Sequence, residues 1–478
     1  MRCLRHRALR QDARWGRLLV AVLLWLAGDP SSCLAAGDDA AAERPEPSVA
    51  TIPSPPEVMR NRRPIPELLL KDKREGAYFT GLPLIGVTPE SGVVYGGSVQ
   101  WYDNGSKDSP FFWYAPYRKK INATLAFGTK GRQEYLLEYD QPYIDDSAWR
   151  VRASGAFFVY EFENYFGVGV GTLGPLSFPG TPGVTYARAN DYFDALQENR
   201  GGKTWARYNY YDRRQFAFVV NVERDYLGGL LRPLLGFQIS RVNVRDYTGA
   251  VVDGATNQET KLRADYQNGT IQGFDGGWLN LLRVGLTYDT RDYEPDPTSG
   301  VLGQVLFQGT TRWLGADSAF GHVTVGLQGY YPLLPSLARL VLAGNAVYSA
   351  HFGDTPFFAI PSLATPENER KEGLGGWRTL RGYYGNRFVG NVAMHGSLEL
   401  RWSLLDFSVL GQHFKPMLVP FVDAGRVFDK VGQFSLNDWK AAGGLGLRIA
   451  WNLATIISFE YGMGNEGSLF YMEIGHQF

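Results

Sequence analysis

The sequence predicts an all-β chain, a 16-stranded antiparallel transmembrane β-barrel with long extracellular loops. Three observations carry that prediction. From Tyr78 to the end, segments of about ten residues alternate apolar and polar positions with a period of two, the spacing of a strand with one wet face. Glycine and aromatics are abundant, with 57 Gly, 28 Phe, 27 Tyr and 12 Trp among 478 residues, a composition of strands and turns. The only long apolar run, Leu18–Gly28, falls well short of the roughly 20 residues that span a bilayer as a helix.

That run belongs to an export signal. It follows Arg2, Arg5, Arg7, Arg10, Arg14 and Arg17 and precedes the small residues Ser31, Ser32, Ala35 and Ala36, so residues 1–36 read as a cleaved secretory signal peptide. Both cysteines, Cys3 and Cys33, precede the cut. Residues 37–75 then hold seven prolines among 39 residues with scattered charge. Such a stretch favours extended backbone without a core, and it reads as a disordered periplasmic tether. Within it only Ile65–Leu70 is apolar enough to grip a partner.

Residues 76–478 form the barrel. Leu282, Val284, Leu286 and Tyr288 oppose Arg283, Thr287 and Asp289; Leu445, Leu447, Ile449 and Trp451 oppose Arg448; Phe470, Met472, Ile474 and Phe478 oppose Tyr471, Glu473 and Gln477. A soluble sandwich shows the same alternation. Export, a mature chain free of cysteine, aromatics near strand ends and a lack of helical segments between strands favour the membrane barrel, whose closure leaves no unpaired edge in lipid. Strands are expected near 78–86, 92–102, 119–129, 133–142, 148–160, 213–224, 234–247, 279–290, 300–313, 319–332, 338–351, 391–402, 418–428, 440–451, 454–462 and 468–478. The even count puts both ends of the barrel in the periplasm and sends connections 161–212, 248–278 and 352–390 outside. The connection 103–118 is long for a periplasmic turn.

Several segments carry a resemblance. Gly375-Gly376-Trp377-Arg378-Thr379-Leu380-Arg381-Gly382-Tyr383 resembles the Arg-Gly-aromatic tip of the sixth extracellular loop in the Omp85 superfamily, the BamA/TamA-like bacterial surface antigen barrels. Gly396–Leu400 resembles the family strand with an inward glutamate, and Pro420–Phe428 the next strand, with an inward aspartate. Tyr288–Asp292 with Pro297–Gly300 is similar to a family periplasmic turn, and Asn164–Gly169 to a family loop. The matching motifs span essentially 76–478.

Physical chemistry and the resemblance converge on loop 6. A loop over 353–390 is expensive to order unless its tip folds into the lumen and meets charge there. Alternation turns Glu399 inward with Ser397 and Arg401, and Asp423 lies on the neighbouring strand. Arg381 is therefore expected between two carboxylates, whose geometry its planar fork suits; Gly382 turns the backbone and Tyr383 packs the tip. The alternative is an ordinary lumen ion network. At the closing seam, Gly81 and Pro83 weaken the first strand and Gly475 lies near the end of the last. The resemblance implies a junction that opens laterally to admit a client strand; alternatively, Pro83 simply ends the pairing near the rim. Phe478 resembles the C-terminal signal that outer-membrane barrels present to their assembly machinery.

The chain lacks room before its barrel for the periplasmic POTRA domains of the best-known family members, so it resembles the branch without them. Zero net charge, 48 Lys+Arg against 48 Asp+Glu, argues against nucleic acid. No catalytic motif, metal-ligand spacing or cofactor fingerprint is found. The expected function is insertion or translocation of protein or lipid at the bacterial outer membrane, among lipid and lipopolysaccharide, with a polypeptide or lipid client and a separate periplasmic partner or second barrel. The alternatives are a passive pore plugged by loop 6, in which Arg283, Asp289, Arg448 and Glu473 set ion preference, and, more remotely, a barrel enzyme.

Overall fold

The computed structural model describes residues 52–478 except 66–69, 71–72, 295, 335–338, 368–372, 410–411 and 452–454. Residues 1–36, expected to be a signal peptide, the expected tether as far as 51 and most of the apolar piece 65–70 lie outside the described residues. Sixteen strands build the barrel wall: β1 Ala77–Thr88, β2 Gly92–Asp103, β3 Lys119–Gly128, β4 Arg132–Gln141, β5 Trp149–Asn164, β6 Tyr210–Arg224, β7 Leu231–Asp246, β8 Gly276–Asp289, β9 Gly300–Thr310, β10 Phe320–Leu333, β11 Leu340–Gly353, β12 Val392–Ser403, β13 Gln412–Phe428, β14 Lys440–Trp451, β15 Thr455–Gly464 and β16 Gly467–Ile474. Each pairs antiparallel with its neighbours in the chain, and β16 returns to β1.

The pleat separates the two faces as the alternation requires. On β8, Trp278, Leu282, Val284, Leu286 and Tyr288 are exposed outward while Arg283, Thr287 and Asp289 are buried inward. An outward apolar band with a polar inside is stable where the surroundings are lipid.

Helices occur between the strands, against the expectation of none. They are α1 Phe111–Tyr114, α2 Ala189–Gln197 and α3 Lys261–Gln267. The long connections bury small cores of their own: Tyr192, Ala195 and Leu196 of α2 pack with Phe166, Leu176, Phe178 and Tyr208. The helix spacing of these residues puts them on one face. Thr260 caps α3 by accepting from the Arg263 amide at 3.1 Å.

The described part of the tether is packed, which corrects its reading as disordered. Met59 is buried against Phe111, Ala115 and Tyr143. The Asn61 amide donates to the Gly228 carbonyl at 3.0 Å, and Ile65 to Trp113 at 2.9 Å. Arg62 pairs with Asp289 at 3.2 Å, and Lys73 Nζ donates to the Ala115 carbonyl at 2.7 Å. This strap crosses the end of the barrel where β1 starts and β16 finishes, hereafter the terminal end. Proline restricts the unfolded chain, so little entropy is lost on docking, and one buried Met with flanking arginines suffices. The long 104–118 connection provides its platform.

The last strand also stops early. β16 ends at Ile474, not at 478, because Gly475 takes φ +107° and turns the chain into the lumen. Phe478 therefore ends no strand; its ring lies 5.0 Å from the Arg401 guanidinium and 6.4 Å from Tyr330, both inward-facing. At the seam β1 pairs with β2 along its whole length, with Gly81 opposite Val99 and Pro83 opposite Gly97. Towards β16 the register holds a single pair, Val87 opposite Met472.

Candidate functional site

The inward faces of β12, β13, β14 and β15 and the returning loop 354–391 converge on Arg381, which is fully buried. Its Nε and Nη2 donate to the two oxygens of Asp423 at 2.8 and 2.7 Å. Nη1 donates to Glu399 at 2.8 Å and to Glu460 at 3.0 Å, and Nη2 also reaches Ser397 Oγ at 3.4 Å. All five guanidinium protons thus have acceptors, and the ring of Phe421 lies 3.4 Å from the guanidinium carbon. The bidentate geometry is one a lysine cannot reproduce.

Two further arginines complete the charge balance. Arg448 donates to both oxygens of Glu399, at 2.8 and 2.6 Å, and through Nε to Glu460 at 2.8 Å. Arg401 donates to Glu399 at 2.9 Å. Three guanidinium groups face three carboxylates, Glu399, Asp423 and Glu460. A buried network of this kind does not make a barrel more stable than apolar packing would, but deleting one member leaves a charge stranded. It therefore fixes one position of the loop tip.

Glycines make the seat. Gly382 takes φ +106°, and a Cβ there would fall 2.7 Å from the Gly464 nitrogen. On β15 a Cβ at Gly462 would come within 2.6 Å of the Arg381 carbonyl carbon, and one at Gly464 within 2.6 Å of the Tyr383 ring. Tyr383 is buried; its hydroxyl donates to the Ala441 carbonyl at 3.2 Å and its carbonyl accepts from Tyr471 Oη at 3.1 Å.

The turned-in C-terminus meets the same cluster. Gln477 Nε2 donates to the Thr379 carbonyl at 3.0 Å and Gln477 Oε1 accepts from Ser397 at 2.8 Å. Arg401 holds the Phe478 oxygen at 3.1 Å. His476 Nδ1 lies 2.9 Å from Arg448 Nη1 and Nε2 lies 3.2 Å from Asp296. Arginine only donates, so Nδ1 accepts and Nε2–H donates to the carboxylate. Burial, together with Arg401, lowers the imidazole pKa to about 4, so it is neutral here.

Loop 6 also ties the hairpins on either side of the seam. The Gly385 amide donates to Glu90 in the β1–β2 turn at 2.6 Å. Arg387 pairs with Glu466 in the β15–β16 turn at 2.9 and 2.7 Å.

The structure thus places Arg381, Gly382, Tyr383, Glu399 and Asp423 together, with Gly81 and Pro83 away from them on β1 and Gly475 at the kink. Sequence reasoning missed Glu460, Gly462, Gly464 and Gln477, and treated Arg448 only as a lining charge. The signal for the first three was legible: Ser458, Glu460, Gly462 and Gly464 share the inward face of one strand, and glycines two apart beside an acid leave room for an inserted chain.

Residues 119–478 match the Omp85 superfamily domain. The chain belongs to the Omp85 superfamily. It is accordingly an outer-membrane barrel. Residues 55–118, the strap with β1, β2 and α1, match a domain of unknown function (DUF5982). Among solved structures, BamA from Haemophilus ducreyi lacking POTRA domains 1–3 matches with TM-score 0.51 at 15% identity, covering 84% of this chain and 70% of that one. CdiB from Escherichia coli matches with TM-score 0.49 at 12% identity, over 84% and 63%. CdiB from Acinetobacter baumannii matches with TM-score 0.45 at 10%, over 84% and 60%. A comparison with curated protein sequences gives no match.

Proposed function

We propose that this Omp85 barrel assists insertion or translocation of polypeptide or lipid at the outer membrane by opening between β1 and β16, with a separate periplasmic partner or a second barrel delivering the client. One observation carries the reading: the β1–β16 register holds only Val87 opposite Met472, while the stretch Ala77–Gly86 of β1 has no register partner on β16. Unpaired backbone groups in lipid cost several kcal/mol each, and an exposed edge templates an added strand. The role is non-enzymatic in this reading, since strand exchange needs no covalent step.

The passive-pore alternative fits less well. Loop 6 runs far down the lumen, where Arg152 donates to the Pro366 carbonyl at 2.8 Å and Glu367 pairs with Arg291 at 3.0 Å. Arg291 in turn holds Asp289 at 3.0 Å, the partner of strap residue Arg62. A continuous charge chain therefore joins loop and strap across the would-be channel. The test is reconstitution in liposomes with a small unfolded barrel client, counting protease-protected client against empty liposomes. Acceleration is expected, and its loss in Arg381→Ala when the barrel stays folded. No acceleration by folded protein, with or without periplasmic extract, overturns the proposal.

A further inference from the structure

Beyond the seam, the loops at the opposite end of the barrel enclose a cavity of about 370 Å³ that the insertion reading does not use. Its walls come from the β1–β2 turn, the end of β5, connection 165–209 and the hairpin tip of connection 247–275. Phe162, Phe193 and Tyr210 line it and touch one another: Phe193 stacks on Tyr210 at 6.3 Å and 21°, and Phe162 meets Tyr210 edge-on at 6.0 Å. Arg207 lies over Phe162 at 4.3 Å.

Two charged groups of this cavity are not fully used within the protein. Among the described residues the Arg207 guanidinium has no hydrogen-bond or ion-pair partner, so its donors are held in place by the ring beneath and point at no protein acceptor. Glu90 lines the same cavity, accepts from the Gly385 amide and from its own backbone amide, and has no ion-pair partner within salt-bridge distance among the described residues. Burial raises its carboxyl above the ordinary range. A guanidinium and a carboxylate that share one cavity without meeting leave a donor and an acceptor for a third group. Lys130 and Asp253 also line the wall, so two cations balance two acids and the site carries no net charge. That balance suits a neutral ligand over a phosphate or a polyanion. The combination required is a flat apolar face for the rings and hydroxyls that both donate and accept, which is the chemistry of a pyranose. A pocket of this volume and aromatic lining is of ordinary ligand-binding size.

We propose that this cavity binds a neutral saccharide, its apolar face on Phe193 and Tyr210 and its hydroxyls shared between Arg207 and Glu90. The site is independent of client insertion. In the orientation proposed above it opens to the outer surface, where sugars are at hand.

Saturation-transfer NMR on the full chain in lauryldimethylamine oxide, a detergent without sugar, tests the idea with three probes: maltohexaose, lipopolysaccharide core oligosaccharide and inorganic phosphate. Transfer to sugar C–H protons, with affinity falling at least tenfold in Arg207→Gln and in Glu90→Gln while the barrel keeps its heat-resistant gel mobility, is the expected result. A response to maltohexaose and core oligosaccharide alike supports recognition of the sugar ring itself. Binding of phosphate alone, transfer unchanged in both variants, or no transfer from either oligosaccharide overturns it.

Discussion

Replacing Arg381 by alanine removes the guanidinium that serves Asp423, Glu399, Glu460 and Ser397. Arg448 and Arg401 then face three carboxylates alone, so one negative charge is buried without a partner. Breaking a buried pair from one side costs about 3–5 kcal/mol. With a urea slope of about 3 kcal/mol/M, the unfolding midpoint in liposomes should fall by roughly 1–2 M. Arg381→Lys keeps the charge but loses the fork, and should fall between the two. The stranded charge is that of Asp423, whose cationic partner is Arg381 while Glu460 keeps Arg448, so adding Asp423→Asn to Arg381→Ala should recover part of the loss, and the double-mutant cycle should show coupling above about 1 kcal/mol. Tryptophan fluorescence against urea, with protease access to loop 6 as a second readout, measures all five proteins, the Asp423→Asn single variant included. An Arg381→Ala midpoint equal to that of the parent, or a double variant whose losses simply add, would refute the reasoning.

Three further outcomes follow from the same geometry. The seated His476 has a pKa of about 4 against 6.5 when free, so a released tail takes up a proton that the seated tail cannot; seating is fully favoured above pH 6.5 and weakens as pH falls towards 4. Carboxypeptidase digestion of the C-terminus should accelerate over that window, and His476→Gln should flatten the profile. Lys73 is lowered by burial to about 7 from 10.5, so docking of the strap should strengthen as pH rises between those values, seen as slower proteolysis at residues 52–65, with Lys73→Met insensitive to pH. Met59→Asp puts a charge among Phe111, Ala115 and Tyr143 and should free the strap to proteases while leaving the barrel's heat-resistant gel mobility intact.

Much of the barrel was legible because the pleat writes itself as alternation: Arg283, Thr287 and Asp289 sit inward for the same reason that they alternate with Val284, Leu286 and Tyr288. The same rule failed at the C-terminus. Residues 475–478 continue the alternation, yet Gly475 breaks the strand and Gln477 and Phe478 take their partners from the lumen, an exchange that local pattern cannot record. The strap was illegible for a related reason. Its proline content describes a chain that cannot form its own core, while Met59 uses the core of the 104–118 connection and Tyr143. Around Arg381, the two acids on neighbouring strands could be read from facing and family motif. The inward facing of Glu460 could likewise be read from β15, but its pairing with Arg381 depends on the loop tip seating against that strand, a fact of closure and not of periodicity.

The central claim is that the β1–β16 seam must part. Val87→Cys with Met472→Cys places a thiol pair across the one register pair that closes it, in a chain whose own cysteines, Cys3 and Cys33, both precede the barrel. Client insertion by this variant should stop on oxidation and return on reduction. Full insertion with the seam covalently closed would contradict the account.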